Sequence, residues 1–396
     1  MRLVILTHYF APEAGAPQVR LAELARGLAG AGADVTVHTC PPHYPDGVVR
    51  PGYRNGVRPR VEERDGVRVV RSIVLPAANR GVTRRLADHA SFAASALATG
   101  RAAGRADVVL AETPPLFLAA VAPRYARARR ARLVLHVSDL WPDSVVELGA
   151  VTSPRAIAAA RRLERHAYRG ADAVVAPTAG IVRRLAERPE AAGKVRQIPP
   201  AVDVARFRAA PPVREGPLRV LYAGTVGMAQ GVGTLVEAAR RAGPEAVALT
   251  IAGAGAELEA VRAAATGAPN VRVLGAVAAD RVPGLYASSD VGAVVLRDRP
   301  LFEGALPTKL FEAMAAGRPV VVAARGESAE LVADTGAGVV VAPEDVDALA
   351  AALLRLGAAG DAALREMGAR GLAGAAGFTR EAMVRRWRRL LDELAA

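Results

Sequence analysis

The stretch MRLVILTHYFAPEAGAPQVRLAELARGLAGAGADVTVHTC, residues 1–40, decides the fold. Its apolar run Leu3–Thr7 reads as a buried strand. A polar loop with Gly and Pro follows, then a helical stretch from Gln18 to Ala31, then a second strand over Asp34–Thr39. Strand, loop, helix and strand in so short a span make one βαβ unit. The pattern then recurs. Strands are expected at Val67–Ser72, Asp107–Ala111, Leu133–Val137, Ala173–Ala176 and Val195–Ile198, with helices near 84–101, 116–129 and 154–169. The runs VVLAE, LVLHV and AVVAP are unbroken rather than alternating, as in parallel strands covered by helices on both faces.

Working outward, residues 199–217 (PPAVDVARFRAAPPVREGP) are rich in Pro and read as a linker. Alternation restarts beyond it, with strands at Leu218–Tyr222, Ala248–Ala252, Val271–Leu274, Val291–Leu296, Val320–Ala323 and Val339–Val341. The expected architecture is α/β: two Rossmann-like, doubly wound parallel-sheet domains over 1–205 and 206–378, facing a cleft. A chain of 396 residues suits two to three domains at ~150 residues each. Residues 379–396 read as an amphipathic helix starting at Thr379, placed to cross back to the first domain.

Composition narrows the function. Half the chain (52%) is hydrophobic, which excludes wholesale disorder. A single cysteine, Cys40, excludes a disulfide framework and any cysteine-rich zinc site, and suits a reducing cytosol. The first apolar run is too short for a signal peptide, and no stretch has the ~18 apolar residues of a spanning helix. The expected location is cytoplasmic, or peripheral at the inner face of the plasma membrane. The net charge of +13 is uneven: 30 Lys and Arg against 18 Asp and Glu up to residue 205, and 22 against 21 beyond. A basic first half suits an anionic partner: nucleic acid, anionic lipid or a phosphorylated substrate. Aromatics are scarce and no nucleic-acid-binding signature appears, so nucleic acid is set aside.

Ligands in doubly wound sheets bind beyond the carboxyl ends of strands, so the loops there carry the chemistry. Gly15 precedes a helix start, where backbone N–H groups can approach a phosphate, although a loop glycine before a helix is more often ordinary turn chemistry. HVSDLWPDS (136–144) crowds His136, Asp139, Trp141 and Asp143 at a strand end; the plainer reading is a helix capped by Asp143 or Ser144. YAGTVGMAQG (222–231) has the glycine spacing of a phosphate cradle, with Gly224, Thr225 and Gln230 in it. IAGAGAELE (251–259) is only a partial fingerprint and is discounted. In FEGALPTKLFEAMAAGRPVVVA (302–323), Pro307 suits a helix start, and Lys309, Leu310 and Glu312 follow with Glu303 upstream. Lys309 with the helix dipole would neutralise a diphosphate, while Glu303 and Glu312 could accept hydrogen bonds from sugar hydroxyls. Lys309 is one of two lysines in an arginine-rich chain, so a compact ammonium is read as required there. The plainer reading is a Lys–Glu pair on a solvated helix.

Together these stretches resemble glycosyltransferase family 4, nucleotide-sugar-dependent retaining enzymes of the two-domain GT-B fold. The resemblance is to its O-antigen and capsule N-acetylfucosamine-transferase branch. HYFAPEAGAPQVRLAELARGLAGAGADVTVHT, CPPHYPDGVVRPGYR, VSDLWPDSVVELGAV, YAGTVGMAQGVGTLVEAA and LPTKLFEAMAAGRPVV carry it, in order along the chain. It implies catalytic roles for His136, Lys309 and Glu303, with Gly15 against the donor phosphates and His136 at the donor sugar. Lys309 would hold the diphosphate and Glu312 the ribose. Gly224, Thr225, Gln230, Val277 and Leu310 complete the implied donor set, and Glu13, Asp139 and Trp141 the acceptor set. Two departures stand out. Eight residues separate Glu303 from Glu312 where the family has seven, which puts Gly304 at the regular position. Gln230 replaces a lysine found in many members, leaving Lys309, Arg297 or Arg299 to supply charge.

The implied activity is transfer of a hexosyl or N-acetylhexosaminyl group from a UDP-linked donor to a lipid-linked saccharide in cell-surface polysaccharide synthesis. No cofactor and no metal are expected. The segments 83–101 and 124–132 are basic enough to lie at an anionic membrane, or to be a buried Ala-rich helix and a solvated face. Alternatives are a soluble small-molecule acceptor, or a UDP-sugar 2-epimerase of the same fold.

Overall fold

A computed structural model describes residues 1–13, 15–78, 82–147, 149, 151–207 and 216–396. Residues 208–215 of the expected linker therefore lie outside the described residues. The chain divides into two compact units, Met1–Pro199 with Arg380–Ala396, and Pro200–Thr379.

The first unit is an eight-stranded sheet. Its strands are β1 (Arg2–Leu6), β2 (Asp34–Thr39), β3 (Arg60–Arg64), β4 (Val67–Arg71), β5 (Val108–Thr113), β6 (Arg132–Val137), β7 (Ala173–Ala176) and β8 (Val195–Gln197). Their spatial order is β3-β4-β2-β1-β5-β6-β7-β8, and every pair is parallel except β3 with β4. Leu3 pairs with Val35 on one side and Val108 on the other, so β1 is central. All six residues of β5 are buried, as an unbroken apolar run requires of a strand covered on both faces. The hairpin strand β3 was not expected. Its charged residues (RVEER) show no apolar run, yet Asp65 and Gly66 both take positive φ, the two-residue turn that Asp-Gly favours between antiparallel strands.

The second unit is a six-stranded, wholly parallel sheet ordered β11-β10-β9-β12-β13-β14. These strands are β9 (Leu218–Ala223), β10 (Val247–Ala252), β11 (Val271–Gly275), β12 (Val291–Val295), β13 (Val320–Ala323) and β14 (Gly338–Val341). Two apolar clusters cover its faces, one around Leu235, Leu249 and Leu353, the other around Leu310, Phe311 and Met314. Each buried aliphatic side chain contributes about 1.5–3 kcal/mol, so the covered faces dominate the favourable side of folding.

The unit boundary falls before the compositional break at 206. Val202 donates its N–H to the Phe378 carbonyl (2.8 Å) and pairs with Thr379, while Phe207 packs edge-on against Tyr286. Residues 200–207 are thus bound into the second sheet's unit. Arg380–Ala395 is one helix and belongs to the first unit, where it lies along the helix Ala16–Gly30. A Cβ on Gly27 would meet Val384 Cγ2 at 2.4 Å, so glycine permits that close approach. Arg380 pairs with Glu23 at the same seam. Among the described residues no helix is long and apolar enough to cross a membrane.

Each sheet reverses its winding once, between β1 and β5 in the first unit and between β9 and β12 in the second. The crevice at such a switch point is where doubly wound sheets take ligands.

Candidate functional site

In the second unit, the loop after β9 and the helix Thr308–Ala315 after β12 meet at the switch point. Tyr222, the penultimate residue of β9, has its side chain buried. Lys309, on the first turn of the helix, is only 7% exposed. Its ammonium donates to the Tyr222 hydroxyl (2.5 Å) and lies 3.8 Å from the centre of that ring. The Tyr222 hydroxyl in turn donates to the Thr225 carbonyl. Burial brings the Lys309 pKa down from 10.5 to about 7, with the Glu312 carboxylate pulling weakly the other way. A lysine held beside a phenol and an aromatic face, rather than salt-bridged, is open to an incoming anion, which favours its charged form.

Glycine makes this possible. Gly224 has φ 141°, and a Cβ there would meet Lys309 Cε at 2.9 Å. A Cβ on Gly253 would meet the Gly224 carbonyl oxygen at 1.7 Å. The discounted IAGAG stretch therefore has a part: it is the backing on which the YAGTVG loop rests, through Gly224 N–H to Ala252 O (2.8 Å) and Val226 N–H to Ala254 O (2.9 Å). The helix itself has no side-chain cap at Pro307, which leaves the Thr308 and Lys309 amides at the positive end of its dipole.

The remaining donor-set residues divide. Thr225 is exposed on the loop, and Val277 is half-buried after β11. Gln230 accepts the Gly227 N–H through Oε1 (3.1 Å), so it holds its own loop. Arg297 is bound to Glu257 (2.7 Å) and to the Met228 carbonyl (2.6 Å), which commits it to the same loop. Leu310 is fully buried and its amide donates to Pro307 O (3.0 Å), within the turn. Glu312 is half-buried one turn below Lys309. Glu303 stands exposed on the 3₁₀ turn Pro300–Gly304.

In the first unit, His136, the penultimate residue of β6, is 3% exposed and lies directly across from Glu112 on β5. Glu112 Oε2 lies 2.8 Å from His136 Nδ1, and Arg20 from the helix Ala16–Gly30 reaches Glu112 Oε1 (2.6 Å) and His136 Nδ1 (2.8 Å). Burial lowers the His136 pKa, so the ring is neutral, and its Nδ1 can satisfy one neighbour only. Burial opposes ionisation of Glu112, but Arg20 and His136 outweigh it and bring the carboxyl down to about 2. The hydrogen therefore belongs on Nδ1, donated to the carboxylate in a charge-assisted bond, and Nε2 keeps a bare lone pair. Trp387 of the C-terminal helix, 2% exposed, packs edge-on against the His136 ring at 5.5 Å.

Of the acceptor set, Glu13 is buried and its Oε1 accepts the His43 and Tyr44 amides (2.7 and 2.8 Å), which ties the 40–47 loop to the loop after β1. Asp139 accepts from Ser144 Oγ (2.9 Å), and burial raises its pKa. Trp141 is half-buried beside it. Gly15 is extended, with its carbonyl accepting Val19 N–H (3.0 Å) at the helix start. The sequence reading missed Glu112, Arg20, Tyr222 and Trp387. Glu112 left a signal: a carboxylate near the end of a buried, mostly apolar strand needs a charged or hydrogen-bonding partner.

Two family models match the chain, "Glycosyl transferase 4-like domain" over residues 15–201 and "Glycosyl transferases group 1" over residues 217–358. A putative colanic acid biosynthesis glycosyl transferase, WcaI, of Escherichia coli is 28% identical over 89% of this chain and 91% of its own. A GDP-mannose-dependent alpha-(1-6)-phosphatidylinositol monomannoside mannosyltransferase of Mycobacterium tuberculosis is 29% identical over 100% of this chain and 96% of its own. Sucrose-phosphate synthase from Thermosynechococcus elongatus superposes with a TM-score of 0.77 at 20% identity, covering 100% of this chain and 99% of that one.

Proposed function

The chain belongs to the group 1, family 4 glycosyltransferases and is a glycosyltransferase of GT-B fold, and from that premise we propose what it transfers and how. The donor is a UDP-sugar and the acceptor a lipid-linked saccharide in cell-surface polysaccharide synthesis. The colanic acid relative supports the pathway class and the phosphatidylinositol-mannoside relative supports a lipid-borne acceptor. The observation that carries the donor reading is Lys309: a buried ammonium beside an uncapped helix start and a glycine loop, at the switch point of the second sheet.

The donor diphosphate lies on the Gly224–Thr225 backbone and Lys309, with Glu312 on the ribose hydroxyls and Glu303 on the sugar. As the bond from the anomeric carbon to the diphosphate oxygen breaks, charge grows on that oxygen, and Lys309 with the helix amides stabilises it. The acceptor hydroxyl forms its bond on the same face and passes its proton to the departing diphosphate, so configuration is retained. No protein base is needed, and no metal at the diphosphate. His136 accepts a sugar hydroxyl at Nε2, held in that tautomer by Glu112.

The test is a thermal-shift screen of the purified protein against UDP, GDP, ADP and TDP, first without metal and then with Mg²⁺. A metal-independent rise with UDP, lost in Lys309→Ala, supports the donor site. A rise with GDP alone transfers the reading to the donor of the mannosyl relative. No rise with any nucleotide refutes the donor site.

A further inference from the structure

Three histidines, a cysteine and an aspartate converge beyond the ends of β1 and β2, in a place that the transfer chemistry does not use. His8 and Tyr9 follow β1, Cys40 and His43 follow β2, and Asp88 and His89 lie on the helix Val82–Thr99. Two sets, His8–Cys40–His43 and His8–Asp88–His89, each bring one donor atom per residue within 4.8 Å of the others.

Hydrogen bonding separates the sets. Both ring nitrogens of His43 are engaged, Nδ1 with the Pro41 carbonyl (2.8 Å) and Nε2 with Asp88 Oδ2 (3.1 Å). The Cys40 thiol donates to the His8 carbonyl (3.0 Å). The first set is thus committed within the protein.

The second set is not. His8 is 1% exposed, yet neither of its ring nitrogens has a hydrogen-bond partner, and Asp88 Oδ1 has none either. His8 Nε2 and Asp88 Oδ1 lie 3.3 Å apart but out of line for a hydrogen bond. His89 stands edge-on to His8, their ring centres 4.9 Å apart, and its Nε2 meets the Tyr9 hydroxyl at 3.1 Å. Buried polar atoms left without partners in this way call for a ligand. Two imidazoles and a carboxylate are a donor set for divalent zinc-class ions, which take a water as their fourth ligand.

We propose that His8, Asp88 and His89 bind one zinc-class divalent cation, which pins the loops after β1 and β2 to the helix Val82–Thr99. The ion relieves the orphaned nitrogen and oxygen, and His43 holds the other oxygen of Asp88 as an outer partner.

Cobalt(II) tests this with the whole chain, after dialysis against a chelator. A single equivalent is expected to bind with the visible bands of four-coordinate cobalt and no sulfur charge-transfer band, and zinc is expected to displace it. His89→Gln, at the half-buried member, is expected to abolish binding while the metal-free melting temperature stays near that of the parent. Cys40→Ser is expected to bind as the parent does, and His43→Gln about ten- to a hundredfold more weakly. Three results would overturn the proposal: no cobalt uptake, uptake unchanged in His89→Gln, or a sulfur band that vanishes with Cys40→Ser.

Discussion

Nucleotide binding should weaken with rising pH from about 7 upward, because the cation that receives the diphosphate is half-discharged there in the free protein. Burial holds the Lys309 pKa at about 7. Only the ammonium form is competent for the anion. A unit negative charge about 4 Å away at an effective dielectric near 20 is worth about 4 kcal/mol. That corresponds to about three pKa units, enough to return the bound lysine to nearly its ordinary value. The dissociation constant should therefore rise with pH above 7, approaching about tenfold per unit, and proton uptake on binding should grow from about one half at pH 7 to about one at pH 9. UDP suits the assay, since its terminal phosphate titrates near 6 and its charge is constant across the range. Titration calorimetry at pH 7, 8 and 9, in two buffers of different ionisation heat, reads both the slope and the proton. A flat profile in folded protein, or the same slope in Lys309→Met, would refute the reasoning.

Without nucleotide the same lysine opposes folding. Its pKa is lowered on folding, so the unfolded chain binds more protons between about pH 7 and 10.5, and stability from this group rises with pH across that window. Lys309→Met should accordingly stabilise the free protein near pH 7 by a few kcal/mol, as chemical denaturation would show, while UDP binding is lost. Glu112→Gln leaves Arg20 and His136 without their carboxylate and should cost about 3–5 kcal/mol. The folded pKa of Glu112 is depressed to about 2, so its contribution is present above about 4.5 and fades as pH falls towards 2, which acid denaturation of the parent and variant can compare. Gly224→Ala places a methyl against Lys309 Cε at a φ that side chains rarely adopt, and should remove UDP binding in calorimetry with a stability loss of about 1–3 kcal/mol. Trp387→Ala should cost about 3–5 kcal/mol and lower transfer activity, with Trp387→Phe restoring most of both.

Legibility tracked the range of the interactions. Parallel strands announce themselves as apolar runs, and the reading of Asp34–Thr39 and Ala173–Ala176 matches the strands residue for residue. The β3 hairpin escaped because an edge strand shows no such run, although Asp65-Gly66 marked its turn. At the site, Lys309, the glycine loop and the helix start are local in sequence and could be assembled by reading. The Arg20–Glu112–His136 cluster joins residues 92 and 116 positions apart, and only the sheet order brings them together. Gln230 shows a further limit. Its substitution was visible, but its hydrogen bond to Gly227 depends on how the loop closes.

The return of Arg380–Ala395 to the first unit has a consequence for biosynthesis. The first sheet can assemble early on the ribosome, but the wall that Trp387 gives to His136 is made only after the whole second unit has been synthesised. Contacts such as Arg380 to Glu23 span 357 positions, a closure whose entropic cost is met last. A chain interrupted anywhere in the second half therefore carries an unlined histidine and an uncovered apolar seam along Ala16–Gly30. The topology thus orders assembly: a product that stops before Trp387 lacks the wall of its histidine and leaves apolar surface along Ala16–Gly30 exposed, the kind of surface that makes incomplete chains aggregation-prone.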